Sequence, residues 1–214
     1  MTALRVLVEI TPKKAFASAL DWPGLARSGR DEAAALIALA AAMPRYAPVA
    51  ELAGEVFDPA ASFEVVERVP GDASTSFGVP AVVADADRAP AGEAEARRLA
   101  AMVDAAWRTF DAVADAAPEQ LRKGPRGGGR DRTKIVAHVN DADAGYAGVL
   151  GLRHRPVDRG AVAAMRADVL RVLGEPSDGS PVAGRRWPRR YAARRIAWHA
   201  LDHAWEIEDR TDPS

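Results

Sequence analysis

Between Gly92 and Arg210, apolar residues recur at three- and four-residue steps in four separate stretches. That spacing restricts the segment to amphipathic helices packed on one another. The first stretch runs from Gly92 to Ala117, with Leu99, Val103, Ala106, Phe110 and Val113 as its seam and Pro118 as its stop. The second is capped by Asp131 or Thr133 and carries Ile135, His138, Ala142, Tyr146 and Val149. The third spans Val157 to Leu173, with Val162, Met165, Val169 and Val172 inside. The fourth has Pro188 in its first turn, a position that tolerates the missing N–H, and ends near Arg210. Four such helices in about 120 residues make a bundle.

The first 86 residues have a different texture. Leu4–Ile10 and Phe63–Val69 are rich in β-branched residues and partly alternating, so both read as strands, and Phe16–Leu20 reads as a third. Asp21-Trp22-Pro23-Gly24 is a turn. Ser28 or Asp31 caps a helix expected to end near Met43, before Pro44, and Val79–Val83 is expected to form a short edge strand. The fold class is therefore α+β: a small sheet-plus-helix module over 1–86, then a four-helix bundle over 87–214.

Composition narrows the function classes. The 214 residues contain no cysteine, which excludes disulfides, thiolate metal sites and a cysteine nucleophile. A formal net charge of −1 gives no case for a nucleic-acid partner. The longest apolar run, Ala33–Met43, falls well short of the roughly 20 residues that span a bilayer, and the N-terminus does not read as a signal peptide. The expectation is a cytoplasmic protein with a small-molecule substrate and neither a membrane nor a nucleic-acid partner.

Only four histidines occur, and two of them, His199 and His203, stand one helical turn apart in W-H-A-L-D-H-A-W-E. Residues at i and i+4 share a helix face, so both imidazoles can reach one ion. They share their stripe with Ile196 and Ile207, which points them inward. His138 lies in the second helix on the stripe of Ile135, Ala142 and Tyr146. Three neutral imidazoles suit a divalent metal with an open coordination position, zinc first and nickel or iron(II) next. H-A-L-D-H lacks the glutamate of the H-E-x-x-H motif. A general base must then come from Asp202, Glu206, Asp141 or solvent activated on the metal, with Tyr146 as a further catalytic candidate. Asp202 and Glu206 serve equally well as groups that orient an imidazole. His154, in a break between helices, is given a loop role. Tyr191, Trp198 and Trp205 repeat every seven residues on another face of the fourth helix. They are expected to pack within the chain, with a homodimer contact as the alternative.

Two segments, T-K-I-V-A-H-V-N-D-A-D and A-W-H-A-L-D-H-A-W-E-I, give residues 91–212 a resemblance to the DinB-like (DinB/YfiT) superfamily. The resemblance implies an up-down-down-up bundle and a metal held by His138, His199 and His203. It also implies thiol chemistry: S-transfer or isomerisation with low-molecular-weight thiols such as mycothiol or bacillithiol. Without a cysteine, this chain would need an external thiol. In an up-down-down-up bundle, His138 and His203 each lie about 10 Å from the same end, at roughly 1.5 Å per residue. The basic loop between the first two helices, L-R-K-G-P-R-G-G-G-R-D-R, belongs to that end. Arg122, Lys123, Arg126 and Arg130 are therefore candidates to bind the anionic part of a substrate or thiol. Gly127, Gly128 and Gly129 free the backbone for close approach. The cluster R-R-W-P-R-R before the fourth helix belongs to the far end, as a solvated or interface feature. More faintly, F-A-S-A-L-D-W-P-G-L-A-R-S-G-R-D-E-A-A resembles the HicB-like fold, through Gly24, Gly29 and Glu32-Ala33. That likeness implies a small packing or dimerisation module. The leading expectation is a metal-dependent enzyme, thiol-transferase-like or hydrolase-like. Two alternatives to the enzyme stand: a non-catalytic metal-binding or interaction protein, and a toxin–antitoxin regulator.

Overall fold

The computed structural model describes residues 3–123 and 129–211. Over the described residues the chain is α+β, a four-stranded sheet with six α-helices. The strands are β1 (Leu4–Ile10), β2 (Ala15–Ala19), β3 (Ala26–Gly29) and β4 (Phe63–Pro70). The helices are α1 (Glu32–Leu52), α2 (Ala73–Phe77), α3 (Glu93–Ala116), α4 (Arg132–Val149), α5 (Arg159–Leu173) and α6 (Arg189–Arg210). The sheet order is β3-β2-β1-β4, antiparallel except for the parallel β1–β4 pair, which carries a bulge after Val6.

Helix α1 is longer than its sequence suggests. Asp31 caps it by accepting the Ala34 N–H at 2.8 Å, but the helix passes through Pro44 and Pro48 to Leu52. Each proline removes one helical hydrogen bond. Both prolines lie on the exposed face, as does Ala40, so the carbonyls they leave unbonded, those of Ala40 and Pro44, face water. The opposite face buries Met43, Tyr46, Val49 and Ala50, and that burial favours continuing the helix. At 21 residues α1 is long and apolar enough to cross a membrane, yet it packs on β2, β3 and α3. The Tyr46 hydroxyl, fully buried, donates to the Pro23 carbonyl at 2.7 Å. Tyr46→Phe is expected to cost about 1–2 kcal/mol, read as a fall of a few degrees in thermal midpoint.

Gly24 in the turn before β3 has φ +98°, and a Cβ there would stand 2.6 Å from the Leu201 side chain of α6. The expected strand at 79–83 is not formed. Its backbone is held by a side chain instead of a ladder: the buried Glu9 carboxylate accepts the Ala81 N–H and the Thr75 hydroxyl, each at 2.9 Å. Burial raises the Glu9 pKa, and these hydrogen bonds offset part of the rise. The following turn at 85–88 is locked to α6 by a buried two-point ion pair between Asp87 and Arg194.

In the second half, α3 packs along α6 and α5, and α4 packs along the same two helices. The hydrophobic core is continuous from Val6 and Val8 of the sheet through Leu39 of α1 to Met102, Met165 and Leu201. The buried stripe of α4 differs from the expected seam. It consists of Ile135, Val139, Asp143 and Ala147, while His138, Ala142 and Tyr146 form a half-buried flank. The aspartate in the stripe disguised it. The three large residues on the outer face of α6 pack within the chain. Tyr191 meets Trp187, Trp198 meets Phe16 of β2 edge-on, and Trp205 lies under Arg27 of β3 with its guanidinium carbon 3.9 Å from the ring centre.

Candidate metal centre

Helix α4 brings His138 to the face of α6 that carries His199 and His203. The ring centres are 5.2 Å (His138–His199), 4.9 Å (His138–His203) and 4.7 Å (His199–His203) apart. One nitrogen from each ring lies within 4.8 Å of the others. Three imidazoles on one tetrahedral ion at about 2.0–2.1 Å would bring those nitrogens to roughly 3.4 Å, a closure within the reach of small ring rotations. Among the described residues, the cluster holds three histidines and no carboxylate.

The electrostatics suit ligation. His199 is 7% exposed, and its Nδ1 is buried without a hydrogen-bond partner. Burial, then the neighbouring His203 and nearby cations, push its pKa down to about 2. The pKa of His138 is lowered for the same first reason. These rings stay neutral with a lone pair available, as a metal ligand must. His203 Nδ1 lies 2.8 Å from Glu206 Oε2. The carboxylate accepts there, which assigns the proton to Nδ1 and leaves Nε2 for an ion. That hydrogen bond is the chief reason the Glu206 pKa is lowered. The other Glu206 oxygen accepts from Arg210 at 2.8 Å. Glu206→Gln is expected to weaken zinc binding about 10–100-fold in a chelator-competition titration, with the fold unchanged.

Arg210 ties this chain of contacts to the basic loop. It donates to the carbonyls of Arg122 at 2.7 Å and Arg130 at 2.8 Å. Gly129, at φ +138°, passes so close that a Cβ would stand 2.5 Å from the Arg210 guanidinium. The close approach that glycine permits here is therefore to Arg210. Arg122 donates to the Asp209 carbonyl at 2.7 Å. Lys123 and Arg130 are exposed, and the Arg130 charge acts on His138 and His199. Arg126 lies outside the described residues, with Gly127 and Gly128.

The remaining candidates are spread around the triad. The Tyr146 ring centre is 5.7 Å from that of His199, and burial raises its pKa, so the hydroxyl stays protonated. Asp202 turns toward β3, with Arg27 at 3.5 Å, and its side chain is 47% exposed. Asp141 is exposed, and its charge reaches His138. His154 pairs with Asp168 at 3.0 Å, away from the triad. Trp187, placed in a solvated cluster by sequence, is buried against Tyr146, with ring centres 5.4 Å apart. The sequence reading missed Arg210 and Arg195, although their i+4 and i−4 spacings from Glu206 and His199 were available. A groove of about 540 Å³ between α3, α4 and α5 is lined by Asp141, Arg132 and Arg166 but by none of the three histidines. Comparison of the chain with protein-family models, curated proteins and solved structures finds no match.

Proposed function

We propose that the protein is a metal-dependent enzyme of the DinB-like kind, with α3–α6 as its up-down-down-up bundle and thiol S-transfer to a small electrophile as its reaction. The observation that carries this reading is the three-histidine cluster with no fourth protein ligand among the described residues. A divalent ion, zinc in the first instance, would be held by His138, His199 and His203, and would supply the Lewis acidity that lowers the pKa of an external thiol. The protein's own parts are then distinct. Glu206 fixes the tautomer and direction of His203. Tyr146 keeps a donor hydroxyl beside His199. The Arg130 cation adds positive potential for an anionic substrate or thiol. Tryptophan and tyrosine rings wall off one side of the site.

The test is metal content of the untagged protein, followed by rate measurements with a panel of small thiols and a chromogenic aryl halide. One ion per chain and a thiol-dependent rate, both lost in a His199→Ala/His203→Ala variant, is the expected result. No ion after incubation with zinc, nickel and iron(II) overturns the reading. One observation favours a second reading, metal binding without catalysis: the groove of about 540 Å³ between α3, α4 and α5 is lined by none of the three histidines. A stoichiometric ion with no thiol-dependent rate would select it.

A further inference from the structure

Helix α6 carries five arginines, and four of them have carboxylate partners. Arg189 pairs with Glu175, Arg190 with Glu95, Arg194 with Asp87 and Arg210 with Glu206. Arg195 is the exception: no described carboxylate lies within ion-pair distance of it. Its Nη1 is buried and has no protein hydrogen-bond partner. Aromatic rings hold the cation instead. The guanidinium carbon lies 4.7 Å from the centre of the Trp198 ring and 5.3 Å from that of Tyr146. Ring faces compensate a cation only in part, by about 0.5–2 kcal/mol. A half-buried cation with no anion retains a strong demand for one. A cavity of about 10 Å³ lined by Ser18, Trp198 and Arg195 has room for one water, which can accept a hydrogen bond but brings no negative charge.

The position of this unmet charge is specific. Arg195 precedes His199 by four residues, one turn or about 6 Å along the same face. Tyr146, which it overlies, is itself edge-on to His199. Asp202, the carboxylate nearest in sequence, is engaged by Arg27. We propose that Arg195 is an anion subsite beside the metal centre, taking the carboxylate of a small ligand whose other end ligates the metal. The metal half of this statement rests on the function proposed above; the anion half does not. A planar guanidinium matches a carboxylate with two parallel hydrogen bonds. The one-turn spacing selects ligands with the two groups a few bonds apart, such as short mercaptocarboxylates.

The test uses the full chain, metal-free and cobalt(II)-loaded, with 3-mercaptopropionate and its neutral analogue 3-mercaptopropan-1-ol as probes. In the cobalt form, sulfur-to-cobalt charge-transfer absorption is expected to saturate at about tenfold lower concentration of the acid than of the alcohol, the scale of one charge-assisted hydrogen bond. Arg195→Met should lose that preference while binding the alcohol unchanged, and Arg195→Lys should keep part of it. In the metal-free form, propionate should shift the Trp198 indole N–H resonance saturably, and should not do so in Arg195→Met. Equal affinity for acid and alcohol in the wild type overturns the subsite and leaves the metal reading intact. A preference that survives in Arg195→Met or in Arg195→Ala also overturns it. Failure to take up cobalt overturns the metal reading alone, and the propionate arm then decides the subsite. If neither neutral variant folds, loss of part of the preference in Arg195→Lys upholds the subsite, and full retention there overturns it.

Discussion

Replacing His199 with alanine is expected to abolish stoichiometric binding of a divalent ion, and with it all thermal stabilisation by zinc. Wild type with zinc at about a thousand times Kd gains roughly 4 kcal/mol. For a chain of this length that is about 8–16 °C in thermal midpoint. His199 is the most buried of the three histidines, its Nδ1 has no hydrogen-bond partner, and no carboxylate among the described residues joins the cluster. Two imidazoles left on a half-open face hold an ion orders of magnitude less tightly than three. Without metal, the variant should melt within a few degrees of wild type. The substitution removes a buried nitrogen that has no partner, so the small cavity and the relieved polar burial oppose each other. Calorimetry with and without zinc, beside elemental analysis, separates these effects. Equal zinc shifts in variant and wild type would place the ion elsewhere.

The triad was legible because a four-residue spacing on one helix is a geometric statement, and the third histidine needed only a helix packed on that face. Glu206 was legible for the same local reason. Arg210 was not, because its partners include backbone carbonyls some eighty residues away in the chain, and carbonyls leave no trace in side-chain pattern. Arg195 reads as one more basic residue until four neighbouring arginines are seen to be paired. Strand β3, with the sequence A-R-S-G, has no β-branched residue, and forms because β2 offers it a ladder and α1 packs against it. The passage of α1 through two prolines also depends on packing, since local propensity would stop the helix at Met43.

Asp143→Asn is expected to stabilise the protein at neutral pH and above, and to leave it unchanged near pH 4. The Asp143 side chain is 1% exposed between α3, α4 and α5, and Arg166 Nε stands 3.7 Å away, too far for a hydrogen bond. Burial raises its pKa to about 7; the Arg166 cation offsets part of the rise, and Asp111 adds to it. In the unfolded chain the same carboxyl titrates near 3.9. Below pH 4 it is protonated in both states. Between pH 4 and 7 the unfolded chain gives up the proton while the folded protein keeps it, so folding stability falls as pH rises through that window. At about 1.4 kcal/mol per pH unit over some three units, the loss approaches 4 kcal/mol, and it is complete above pH 7. The asparagine variant has no proton to lose. Arg166 is not orphaned by the change, because Asp111 still binds it at 2.7 Å. Urea unfolding of both proteins from pH 4 to 8 should therefore give curves that meet at the acid end and separate steadily to neutrality. A constant offset would mean that Asp143 is ionised in the folded protein. Its attraction to Arg166 would then outweigh the cost of burial, and the α3–α4–α5 interface would be held by an ion pair.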